Sequence, residues 1–262
     1  MNINKILENS LEKILFLDKE NIVLKLREKM NIEYKKMDCS GIYAKTQKLM
    51  AYNSNKIEGS TLTKDQTASL FDTGVLLANG EIFKAKDIEE MRGHFLMFNE
   101  MLKTLGTPLS EELIKKFHFR LKSEVFEDIA NGYPIGEYKN RVNQVSNITT
   151  VRPDQVSNKM QELLKNYNIN KKHTLDELAW FHAKFEKIHP FQDGNGRTGR
   201  MILFKECIES GIIPVIITDK NKFSYYHSLN AAHTADNYDN LWALFRREQK
   251  EYYSVIQEFM DQ

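Results

Sequence analysis

Apolar residues recur at three- and four-residue steps through nearly every long stretch of this chain, and that periodicity limits its fold more than any other feature. It runs through "NKILENSLEKILFL", "ENIVLKLREKMNIEYKKM" and "SGIYAKTQKLMAYNSNKIEGS", the last stopping at Gly59. It returns in "AKDIEEMRGHFLMFNEMLKTLG", in "TPLSEELIKKFHFRLKSEVF" with Ser110 placed as a cap, and in "RPDQVSNKMQELLKNYN". "TLDELAWFHAKFEKI", "GRTGRMILFKECIESG", "SYYHSLNAAHTA" and "YDNLWALFRREQKEYYSVIQEFM" complete the set. The pattern predicts a mostly α fold. One segment departs from it. In "YKNRVNQVSNITTVRPD", residues 138–154, β-branched residues flank Ser146-Asn147, which predicts a short β-hairpin near 141–152. A boundary near residue 60 would divide an N-terminal helical region, 1–60, from a main body, 61–262.

Charge narrows the partners. Lys and Arg number 37 against 36 Asp and Glu, so there is no basic excess of the kind a dedicated nucleic-acid binder carries. Two cysteines, Cys39 and Cys207, stand far apart in no metal-ligand spacing, which fits a reducing cytoplasm. The N-terminus is interrupted by Glu and Lys and lacks a signal-type apolar core. No stretch is long enough to span a bilayer, so a soluble cytoplasmic protein without membrane partners is expected.

Chemistry concentrates in "KIHPFQDGNGRTGRM", residues 187–201. A helix should break near Pro190 and another should start around Gly196, leaving a loop that feeds a helix N-terminus. Unpaired N–H groups and the helix dipole favour an anion there. Gly194 and Gly196 let the backbone approach a ligand, and Arg197 and Arg200, three apart, share a helix face. Two guanidiniums over such a site suit a polyphosphate. Asp193 would repel phosphates unless a cation sits between, which points to Mg²⁺ or Mn²⁺. His189, at the loop entrance, is placed to take a proton from an attacking hydroxyl. No G-x-x-x-x-G-K-[ST] occurs, so this is not a P-loop.

His189 to Arg200, "HPFQDGNGRTGR", resembles the signature of the Fic (Fic/Doc) family, H-P-F-x-[DE]-G-N-G-R-x-x-R, at every fixed position, and the resemblance spans roughly residues 50–250. It implies a Fic-type helical core with a β-hairpin flap and an N-terminal helical extension. It also implies a protein adenylyltransferase, a nucleotidyltransferase that moves AMP from ATP to a Ser, Thr or Tyr hydroxyl of a target or of itself and releases pyrophosphate. His189 would be the base, Phe191 the loop's anchor and Asp193 the Mg²⁺ ligand. Gly194, Asn195 and Gly196 would cradle phosphates, with Arg197 on the β-phosphate and Arg200 on the γ-phosphate. Gly at both 194 and 196 favours AMP transfer over the phosphocholine and phosphoryl transfers of some members; UMP transfer and removal of AMP are the enzymatic alternatives, and a regulatory binding module the non-enzymatic one. "SNKIEG", Ser54 to Gly59, resembles the family's inhibitory motif [ST]-x-x-x-E-[GN], so Ser54 and Glu58 are expected to restrain Arg200. Tyr225 and Tyr226 would flank the adenosine; relatives often carry Asn where His233 stands. Ile148 and Thr149 would offer a flap edge to an unidentified target protein, and a homo-oligomer is an expected assembly.

Overall fold

The helices form where apolar spacing and capping residues call for them. A computed structural model describes residues 21–76, 80, 82–145, 148–169 and 171–260, and side chains throughout these except at 144–149. Helix α1 covers residues 21–36, followed by α2 (Ile42–Ile57), α3 (Lys64–Thr73), α4 (Ala85–Lys103), α5 (Glu111–Lys122) and α6 (Phe126–Ala130). After the extended segment come α7 (Pro153–Tyr167), α8 (Leu175–Ile188), α9 (Asn195–Glu209), α10 (Lys222–Ala235) and α11 (Asp239–Met260). The stretch "NKILENSLEKILFL" lies outside the described residues.

Capping chemistry sets several boundaries. Ser110 accepts from the Leu113 N–H and opens α5 as expected. Thr174 and Glu177 make a reciprocal capping box at α8. The apolar-periodicity reading passed over α3, which buries only Thr67 and Leu70; its signals are instead the Thr63–Gln66 capping box and a left-handed Gly74 stop. The extended segment contains two strands of two residues each, β1 (Gln144–Val145) and β2 (Ile148–Thr149), antiparallel with Gln144 opposite Thr149. That is much less than the hairpin expected over 141–152, and the turn residues lie outside the described ones.

One buried cluster runs from Val23 to Ile256, so residues on both sides of position 60 share a core. Helix α9 packs against α8, α5, α4 and α2. It buries residues around its whole circumference, Arg197, Arg200 and Lys205 included. Such a helix needs polar partners on its neighbours. Helix α2 supplies some of them: it buries Gln47, Asn53, Ser54 and Asn55 along with its apolar face. Gln47 donates to the Phe95 carbonyl (2.9 Å), and Asn53 accepts from the Asp219 N–H (2.9 Å). No helix among the described residues is long and apolar enough to cross a membrane.

Candidate active site

The loop between α8 and α9 is held from below. His189 ends α8 in the left-handed region, φ 53° and ψ 62°, a conformation that costs a non-glycine residue roughly 1–2 kcal/mol. Pro190 prevents the helix from continuing. Phe191 is fully buried and stacks on His118, ring centroids 3.9 Å apart. Asn195 clamps the Phe191 backbone twice: its Oδ1 accepts from the Phe191 N–H (2.7 Å) and its Nδ2 donates to the Phe191 carbonyl (2.8 Å). The Asn195 side chain is therefore spent on the loop, and any part it takes in a phosphate cradle falls to its backbone. Asn143 also donates to the Phe191 carbonyl (3.0 Å). Burial pushes His118 down to about 3, so its ring is neutral. Its Nδ1 accepts from the Gly136 N–H (2.9 Å), which leaves Nε2–H to donate to the Asp193 carbonyl (2.9 Å).

His189 itself is half-buried. Burial, helped by the Lys139 ammonium, pulls its pKa down to about 4, so the imidazole is neutral at pH 7. With the proton on Nδ1, directed at the Glu186 carbonyl 3.4 Å away, Nε2 keeps a lone pair for a substrate proton.

The head of α9 has the makings of an anion site. Gly194 caps it at φ 80°, with no side-chain cap bond and no acidic residue in the first turn. A carboxylate from another helix already lies there. A Cβ on Gly196 would collide with Glu58 Oε1, so the missing side chain is what admits that oxygen. Arg200 donates to Glu58 Oε1 (2.6 Å), to Ser54 Oγ (2.9 Å) and to the Ser54 carbonyl (2.9 Å). Ser54 and Glu58 thus both meet Arg200, with Glu58 one residue beyond α2 as its C-cap. Glu186, also beside Arg200, is pushed up to about 8 by burial and is mostly protonated at pH 7. Arg200 also lies 5.8 Å from the ring of Tyr225, which is buried and shares a hydrogen bond with His182 (2.8 Å). Tyr225 is therefore packed beneath the arginine with no open face. Tyr226 is 39% exposed and donates to the Ile57 carbonyl (3.1 Å), holding the end of α2.

Arg197, only 2% exposed, pairs with Glu90 and lies 3.5 Å from Asp193 Oδ1. Burial acts to raise the Asp193 carboxyl, but Arg197 and Lys122 outweigh it and hold the group well below the usual carboxylate range. Oxygen atoms of Glu90, Asp128 and Asp193 lie within 4.8 Å of one another, a donor set of the type that suits Mg²⁺, with Asp193 the most open of the three. Glu90, Lys122, Asp128, His118 and Asn143 were not anticipated from sequence. They lie 48 to 103 residues before Asp193 or the loop's Phe191 in the chain and carry no motif; only folding gathers them. The side chains of Ile148 and Thr149 fall outside the described residues.

Residues 108–206 match the profile of the Fic/DOC family. The chain carries a Fic/DOC domain. It is 28% identical over 194 residues to protein adenylyltransferase fic-1 of Caenorhabditis elegans, a match covering 72% of this chain and 37% of that protein. Protein adenylyltransferase Fic of Drosophila mojavensis is 30% identical over 194 residues, covering 71% of this chain and 36% of that one. The chain therefore spans little more than a third of these curated relatives. Among solved structures, a Fic domain containing signaling protein from Bacteroides thetaiotaomicron superposes with a TM-score of 0.67 at 22% identity, covering 88% of this chain and 93% of that one. Fic-1 of C. elegans gives 0.66 at 21% identity, covering 97% and 74%. These likenesses establish a mostly helical Fic-like fold.

Proposed function

We propose that this chain transfers AMP from ATP to a hydroxyl group of a protein, itself included, and that Glu58 restrains the reaction. The Glu58 carboxylate on Arg200 at the head of α9 is the observation that carries the reading. A carboxylate paired with an arginine beside a helix N-terminus marks where a phosphate oxygen would bind. While Glu58 is there, a terminal phosphate cannot reach Arg200, and the triphosphate is held out of line.

With Glu58 displaced, Arg200, Arg197 and the N–H groups at the head of α9 would orient the triphosphate. His189 Nε2 would take the proton of the attacking hydroxyl. The hydroxyl oxygen bonds to the α-phosphorus as the bond to pyrophosphate breaks. Such transfers depend chiefly on positioning and charge stabilisation. Asp193 is the carboxylate that would hold Mg²⁺, which when bound neutralises phosphate charge. Tyr226, with its exposed ring, is the better placed of the two tyrosines to meet adenosine. The edge at Ile148–Thr149 would receive the target. The compartment we assign is the cytoplasm.

The test is labelled ATP with wild type and Glu58→Gly side by side. A misplacement near 1 Å costs about 10²-fold in rate, so the variant should label itself faster by that order. Arg200→Ala in the Glu58→Gly background should abolish the gain. A folded Glu58→Gly protein with no increase in labelling refutes the restraint.

A further inference from the structure

We infer that the Lys122 ammonium is the resident counter-cation of Asp193, standing where a divalent ion would otherwise bind, so that the nucleotide-free protein takes up no such ion among Glu90, Asp128 and Asp193. Lys122 is 1% exposed. Its Nζ lies 2.5 Å from Glu90 Oε1 and 2.7 Å from Asp193 Oδ2, and it pairs with Asp128 as well. The three carboxylates that could ligate one metal ion instead each turn an oxygen to one nitrogen.

The surrounding charges close without a metal. Lys86 lies 3.5 Å from Asp128 and 3.7 Å from Asp193, and Arg197 pairs with Glu90 and approaches Asp193. Three cations thus face the three carboxylates, with Lys86 shared with the more exposed Glu127 at 3.2 Å. Asp193 Oδ1 is further engaged by the Gly194 N–H at 2.7 Å. A divalent ion entering this cluster would have to displace the ammonium and sit beside two more positive groups. Asp128 is equally telling. It is 1% exposed, and among the described residues its oxygens make no hydrogen bond and its charge is answered by Lys122 and Lys86. A buried carboxylate needs such an answer. Lys122 is therefore a positioning residue. It fixes the Asp193 carboxylate through Oδ2, and any metal ion must arrive with the phosphates that supply its remaining ligands.

Mn²⁺ alone, titrated into the purified full chain without nucleotide, tests this by the loss of the free-ion electron paramagnetic resonance signal. Wild type should leave sub-millimolar Mn²⁺ free. Lys122→Met removes the ammonium and leaves three carboxylates facing one another. Deleting one positive charge at contact distance should tighten Mn²⁺ binding at least about tenfold. Adding Asp193→Asn should reverse the gain. Mn²⁺ should also raise the melting temperature of Lys122→Met while leaving that of wild type unmoved. If Lys122→Met does not fold, Lys122→Gln, which keeps a hydrogen-bonding head group, replaces it. A folded variant with wild-type Mn²⁺ affinity overturns the inference. So does sub-millimolar Mn²⁺ binding by wild type that Asp193→Asn abolishes, and that measurement needs no lysine variant. None of these readouts involves AMP transfer, so the inference and the proposed activity fail separately.

Discussion

Single residues here carry two kinds of duty, and the structure separates them. His189 has a neutral ring whose Nδ1 is directed at the Glu186 carbonyl, which leaves Nε2 for a substrate proton, the condition of a general base. His189→Ala should keep ATP binding and lose transfer on the order of 10²–10⁴-fold, measured by nucleotide titration beside labelling. Near wild-type transfer by that variant would remove His189 from the mechanism. The base acts deprotonated, and its pKa is lowered to about 4. Activity should therefore hold as the pH falls through the ordinary histidine value near 6.5 and drop only on approach to 4, provided the fold survives. Asn195 does the other kind of work. Asn195→Ala leaves the buried Phe191 N–H without its acceptor, at a cost of about 1–3 kcal/mol. Chemical denaturation should show that loss, and transfer should fall with it because the loop carrying Asp193 and Gly194 loosens. An unchanged midpoint would mean the clamp contributes nothing.

At the scale of elements, α2 and α9 form one functional unit even though some 140 residues separate them in sequence. Ser54, Asn55 and Glu58 all face arginines of α9, and Asp219 and Tyr226 hold the end of α2 in place. Under the proposed restraint Glu58 would leave Arg200 by a movement of the α2 C-cap, where Gly59 turns the chain at φ 97°. The short pair β1–β2 is a different case. Its two-residue ladder is too slight to be stable alone. Thr149→Pro removes a strand N–H and should impair labelling of a protein target more than ATP binding. Equal losses in both would make the segment purely structural.

The whole molecule is built around buried neutral histidines. Burial drives His94, His118 and His182 to about 3. In the unfolded chain these groups titrate near 6.5, so below that pH the unfolded state binds protons that the folded state refuses. The histidine contribution is then complete above pH 6.5 and is lost as the pH falls below it, while Glu186, raised from 4.5 to about 8, runs the other way over that interval and offsets about one of the three. The slope is roughly 1.4 kcal/mol per pH unit for each histidine, or about 4 kcal/mol per unit for the three. Urea midpoints should accordingly drop sharply between pH 7 and pH 5.5. A flat midpoint over that range would show that these rings are protonated in the native state.

The sequence by itself determined most of the long helices, though not α3 or the short α6, because apolar spacing and caps such as Ser110 and Thr174 act over a few residues. It also determined the loop that feeds α9, because "HPFQDGNGRTGR" packs its chemistry into twelve consecutive positions. The pairing of Glu58 with Arg200 was legible only through a resemblance, since nothing in local spacing links positions 142 apart. Tertiary structure alone decided the rest. It turned Asn195 inward onto Phe191, buried Tyr225 under Arg200, reduced the hairpin to two residue pairs, and brought Glu90, Lys122 and Asp128 around Asp193. The physical reason is range. Caps and periodicity are set by neighbours along the chain, whereas burying charged groups forces compensation by whatever side chains the packing of α4, α5 and α6 delivers to the same place.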